Sequence, residues 1–165
     1  MHLWNVHASP NQIRCPSPAS GAMSVRSATA TVGADSAMLR LPYQPESVGV
    51  ARRFVCAKLR EWGLGEAVDD AALIVSELAT NAVRTGCQTR MIVALRRPAP
   101  GIVRILVGDG SRVMPVMIRA RISATSGRGL AMVHRLTRGQ WGVSFLPLGK
   151  VVHADLSIVE PLVDR

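Results

Sequence analysis

Aromatic side chains are scarce in this 165-residue chain, at 4 %. Any core must therefore be built from Ala, Val, Leu and Ile, which the 48 % apolar share can supply. The same scarcity argues against binding nucleic acid by base stacking, and no basic recognition helix stands out, so direct nucleic-acid binding is not expected. Cysteine is thin too: Cys15, Cys56 and Cys87 lie far apart and form no CxxC pair. The odd count argues against a disulfide framework, nothing in the spacing suggests a metal site, and the three read as reduced thiols in a cytoplasmic protein. No stretch reaches the roughly 18 uninterrupted apolar residues of a membrane span. The opening residues lack the basic start and apolar run of a secretory leader. Lysine is nearly missing, with only Lys58 and Lys150 against 18 arginines. Acid is missing where it would be felt most: residues 90 to 140 hold ten arginines and one acidic residue, Asp109. With a net charge of +9, such a surface attracts nucleotide phosphates, an acidic protein or a nucleic acid, unless the arginines are only a solvated face.

Residues 1 to 37 are rich in Ser, Ala, Pro and Gly without sustained periodicity, and read as a disordered tail. Patterned sequence begins at Met38, the expected translation start, and one domain is expected over residues 38 to 160. A short strand over Met38 to Tyr43 precedes Val48, Ala51, Val55, Leu59 and Trp62, spaced as on an amphipathic helix that Gly63 closes. A second helix is expected from about Glu66 to Thr85, with Glu66, Asp69 and Asp70 in its opening turns. Two strands, Thr89 to Arg96 and Ile102 to Gly108, flank the turn Pro98-Ala99-Pro100-Gly101. An irregular stretch over residues 110 to 126 leads to a helix ending at Leu136. Strands Gln140 to Leu146 and Val151 to Val159 close the chain around Pro147-Leu148-Gly149-Lys150. The order β-α-α-β-β-α-β-β predicts an α+β two-layer sandwich, a mixed but mostly antiparallel sheet covered on one face by helices.

Three places could carry chemistry. Glu77 and Asn81 stand four apart in the second helix and so project from one face. A carboxamide oxygen there can face a hard cation such as Mg²⁺, while the carboxylate orients or deprotonates a hydroxyl. The plainer alternative is a solvent-side stripe continued by Asp70 and Arg84. Asp109, followed by Gly110, ends an apolar strand and could accept a hydrogen bond from an exocyclic amine, or simply form a turn. Gly127, Arg128, Gly129 and Leu130 open the third helix, where close backbone N–H groups and the helix dipole suit a phosphate, or where glycine serves as a hinge. Lys150, after Gly149, could be an ordinary turn residue.

In order and spacing these pieces resemble the GHKL (Bergerat-fold) ATPase and kinase superfamily, and in particular the serine-protein kinases that act as bacterial anti-sigma factors. Glu77-Leu78-Ala79-Thr80-Asn81-Ala82 is similar to the family's N-box, Asp109-Gly110 to the start of its G1 box, and Gly127-Arg128-Gly129-Leu130 to its G2 box. Trp141-Gly142 followed by Gly149-Lys150 resembles the C-terminal signature of actinobacterial members. The resemblance implies ATP and Mg²⁺ as cofactors. Asn81 would hold the metal, Glu77 would be the general base, and Asp109 with Gly110 would read adenine. Gly127, Arg128, Gly129, Leu130 and Lys150 would line the nucleotide site. It implies two partners, a sigma factor and an antagonist of the STAS type, and allows a homodimer.

The sequence also departs from the family. The fuller G1 pattern D-x-G-x-G reads here Asp109-Gly110-Ser111-Arg112-Val113, Thr85 stands where many members have His, and His153 where Trp is frequent. A catalytically weak or inactive module that sequesters a protein is the alternative these departures raise.

Overall fold

The computed structural model describes residues 29–85, 90–115 and 128–158. Six strands form one sheet: β1 (Thr29–Gly33), β2 (Ser36–Leu41), β3 (Met91–Ala99), β4 (Ile102–Asp109), β5 (Trp141–Leu146) and β6 (Gly149–Ser157). Their spatial order is β1-β2-β3-β4-β6-β5, and every pairing is antiparallel. Helices α1 (Pro45–Glu61), α2 (Val68–Thr85) and α3 (Arg128–Leu136) complete the described fold, with a single 3₁₀ turn at Gly65–Ala67 before α2. The molecule is an α+β two-layer sandwich with its helices on one face of an antiparallel sheet.

Strand β1 falls inside the stretch read as a tail, and this corrects that reading for residues 29 to 37. Five residues of Thr, Ala, Val and Gly are too few to display a period. Their pairing is secured by the hairpin, in which Gly33 lies opposite Ser36 and Thr29 opposite Arg40. Residues 1–28 lie outside the described part.

The core follows from two periodicities meeting. Along β4, Val103, Ile105 and Val107 point to the helices and are buried, while Arg104 and Leu106 face the other way. Antiparallel register sets Ile105 opposite Ala154 and Val107 opposite Val152, so β6 presents its even-numbered residues to the same layer. From above, α1 contributes Ala51, Val55 and Leu59, and α2 contributes Ala71, Ile74, Val75, Leu78, Ala79 and Ala82. Small residues along α2 let it approach the sheet closely, which suits a core without large aromatics. Pro45 opens α1 at a position where its missing N–H costs nothing, and Gly63, at φ 73°, ends the turn beyond it.

The second face of the sheet carries no helix among the described residues. There Arg104 and Asp155, on paired strands, make a bidentate ion pair with N···O distances of 2.6 and 2.7 Å. The Arg104 guanidinium holds the Asp155 carboxyl below its ordinary value, burial opposing this only in part. A basic depression of about 300 Å³, lined by Asp35, Ser36, Arg96, Arg97, Pro98 and Arg104, opens at this end of β3 and β4.

Candidate active site

Helix α2 holds Glu77 and Asn81 half-buried in the middle of a stripe whose outer members, Asp70, Leu73 and Arg84, are exposed. A solvated stripe needs nothing above it, but here something is. A Cβ placed on Gly129, in the first turn of α3, would come within 1.9 Å of Glu77 Oε2 and 2.6 Å of Cδ. The backbone of the third helix therefore rests directly on the Glu77 carboxylate, and any residue larger than glycine would have to displace that carboxylate. Among the described residues neither the Glu77 carboxylate nor the Asn81 carboxamide makes a hydrogen bond or ion pair. Such groups, half-withdrawn from water and unspent on the protein, are available to a ligand. Arg128 and Leu130 flank this contact on α3, with Leu130 buried in the core. Gly127 and most of the irregular stretch, from residue 116 on, lie outside the described residues.

Asp109 stands at the last position of β4, continuing the row Val103, Ile105, Val107 into the helix-side layer. Lys150 continues the matching row of β6, and the two residues are register partners. Two apolar rows thus end in a charged pair. Lys150 Nζ donates to Asp109 Oδ1 at 2.8 Å, and both side chains are 3 % exposed. The same ammonium donates to the Ser111 carbonyl at 3.3 Å, and the Ser111 N–H donates to Asp109 Oδ1 at 2.8 Å. Lys150 is therefore a buried strand residue and no part of an exposed turn. The turn reading of Gly149-Lys150 is corrected accordingly. It fails because β6 begins two residues earlier than its apolar run reveals.

Tyr43, the only tyrosine of the chain, enters the sequence reading only as the end of the first strand and with no site role. Its hydroxyl accepts the Gly110 N–H at 2.9 Å, bringing the β2–α1 connection against the Asp109 turn. Burial raises the Tyr43 phenol above its ordinary value, the Gly110 hydrogen bond lowers it, and the nearby negative charge of Asp109 raises it further. The only advance signal was an aromatic residue between two prolines.

Arg112, standing where the G1 pattern departs, points the other way. It donates to the carbonyls of Leu146 at 3.1 Å and Pro147 at 3.4 Å and lies 5.8 Å from the centre of the Phe145 ring. It ties the segment after β4 to the β5–β6 hairpin. Trp141 also has a structural use, its indole N–H donating to His134 Nδ1 at 3.2 Å. No cluster of three or more His, Cys, Asp or Glu side chains suited to a metal occurs among the described residues. No helix among them is long and apolar enough to cross a membrane.

The candidate residues thus form two groups on the helix side of the sheet: an acid-amide pair under a glycine at a helix start, and a paired aspartate at a strand end. The model of the histidine kinase-like ATPase domain matches residues 41–141, a span that includes Glu77, Asn81, Asp109 and Gly129 and stops short of Lys150. The chain belongs to the histidine kinase-like ATPase domain family, and with it to the GHKL superfamily of Bergerat-fold ATPases and kinases. Among solved structures it is similar to the histidine kinase domain from Erythrobacter litoralis EL346 blue-light activated histidine kinase, at 22 % identity and a TM-score of 0.41. That similarity covers 72 % of this chain, which spans 62 % of the length of the other. No curated protein matches it in sequence.

Proposed function

We propose that this protein binds Mg-ATP and transfers its γ-phosphoryl group to a serine of a STAS-type antagonist, thereby regulating a sigma factor that it sequesters. The observation that carries this reading is the seating of Gly129 on Glu77, which joins the start of α3 to the acid-amide pair of α2. A triphosphate lying along that helix start meets backbone N–H groups and the positive end of the helix dipole. Asn81, unpartnered among the described residues, fits a role as ligand to Mg²⁺ through its carboxamide oxygen. When bound, Mg²⁺ neutralises charge on the phosphate oxygens. Glu77 accepts the proton of the serine hydroxyl as its oxygen attacks the γ-phosphorus; the bond to the β-γ bridging oxygen breaks, and ADP leaves. Asp109 offers its second carboxylate oxygen to the amine of adenine.

Titration with a fluorescent ATP analogue, with and without Mg²⁺, tests the binding step. Asn81→Ala and Asp109→Asn should each weaken binding tenfold or more, on the order expected for a lost charge-assisted contact. Unchanged affinity in both would count against the reading. Transfer of ³²P from ATP to an antagonist serine, abolished in Glu77→Gln, tests the chemistry.

A second reading, a protein-sequestering module without transfer, is favoured by one observation: Asp109 Oδ1 already accepts from Lys150 and Ser111. Detection of Glu77-dependent transfer would exclude it.

A further inference from the structure

We infer that Lys150 and Tyr43 clamp the turn that carries Asp109, so that Lys150 acts on a bound nucleotide through Asp109 and does not touch the phosphates. The inference rests on the ATP-binding reading above and names the part each residue plays in it.

Four contacts converge on three residues. The Lys150 ammonium reaches Asp109 Oδ1 at 2.8 Å and the Ser111 carbonyl at 3.3 Å, bridging both sides of Gly110. From the other direction the Tyr43 hydroxyl accepts the Gly110 N–H at 2.9 Å. The Ser111 N–H closes the turn on Asp109 Oδ1 at 2.8 Å. Strand β6 is pressed against the same turn, since a Cβ on Gly149 would lie 2.0 Å from the Asp109 carbonyl oxygen and 2.9 Å from Gly110 Cα. With one carboxylate oxygen accepting from two donors, the other is left to face a ligand, and its direction is set by the clamp. To reach a phosphate, Lys150 would have to abandon a partner that is itself 3 % exposed, stranding a buried carboxylate without a counter-charge. Lys150 is on these grounds a positioning residue, and Tyr43 a second one acting through the Gly110 backbone.

The test compares adenosine, ADP and Mg-ATP as ligands for the full chain. Wild type, Lys150→Met, Lys150→Arg and Tyr43→Phe are titrated by calorimetry, with the fold followed by circular dichroism. A residue that positions the adenine acceptor affects all three ligands by one common factor, because all three carry the same base. We expect Lys150→Met to lose about tenfold or more on each, and Tyr43→Phe a smaller but equally uniform factor. Lys150→Arg, which keeps the charge, should recover part of the loss for all three alike. A loss that grows from adenosine to ADP to ATP makes Lys150 a phosphate ligand and overturns the inference while sparing the ATP-binding reading. Should Lys150→Met fail to fold, Tyr43→Phe decides: unchanged affinity for all three ligands overturns the clamp. A wild-type chain that binds none of them overturns the ATP-binding reading, and the inference with it.

Discussion

At the scale of single residues, two glycines hold the most information. Gly129 leaves room for the Glu77 carboxylate, and that carboxylate is the far end of a flexible, half-buried side chain. Gly129→Ala should therefore keep the fold, helped by the roughly 1 kcal/mol by which alanine is favoured over glycine in a helix. It should displace Glu77 and lower phosphoryl transfer tenfold or more. A melting curve paired with a ³²P assay separates these effects, and a wild-type transfer rate would deny Glu77 its role as base. Gly149 is the opposite case. Its neighbour is backbone, and its φ of 150° is one that side chains rarely adopt. Gly149→Ala should cost more than about 2 kcal/mol, read as a lowered urea midpoint. The shared face of Glu77 and Asn81 was legible in the sequence because residues four apart on one helix project to the same side. The site role of Tyr43 and the burial of Lys150 were not legible because their partners lie 67 and 41 residues away, at separations no local pattern encodes.

At the scale of elements, helix and strand periods gave the layers and most boundaries, since each core-facing row is visible as alternation or as steps of three and four. What alternation cannot tell is which strands are neighbours. The pairing of β4 with β6, skipping β5, brings Asp109 to Lys150 and Arg104 to Asp155. The second of these pairs makes a testable contribution to the sheet. Because Arg104 lowers the Asp155 carboxyl below its ordinary 3.8, the folded state binds this proton less readily than the unfolded chain. The stabilisation is fully present above about pH 4 and is lost as pH falls through the folded value. Asp155→Asn should thus destabilise by up to about 1 kcal/mol at neutral pH, a partly exposed pair being worth no more. Urea melts of both proteins from pH 7 to 3 should converge at the acid end; a constant gap would contradict the linkage.

For the whole molecule, family and fold were legible because the N-box and G2-like segments occur in one order along one chain and lie within the matched span. The basic composition was less informative. Arg104 is engaged with Asp155 and Arg112 with backbone carbonyls, so part of the arginine excess serves the fold. If the chain binds Mg-ATP, ligand at a hundredfold excess over its dissociation constant should add about 2.7 kcal/mol to unfolding. For a protein of this size that is a rise of several degrees in Tm, measurable by scanning calorimetry. An unmoved transition would speak against binding.

Strand β6 comes last of the described elements, yet it sits inside the sheet, between β4 and β5. Without β6, β4 would be a bare margin and Asp109 an acid with no cation across from it. Only arrival of the final strand turns that margin into interior and brings in the lysine. On the reading proposed above, Asp109 can meet a base only once β6 is paired, so a C-terminally trimmed chain without β6 should lose its nucleotide affinity.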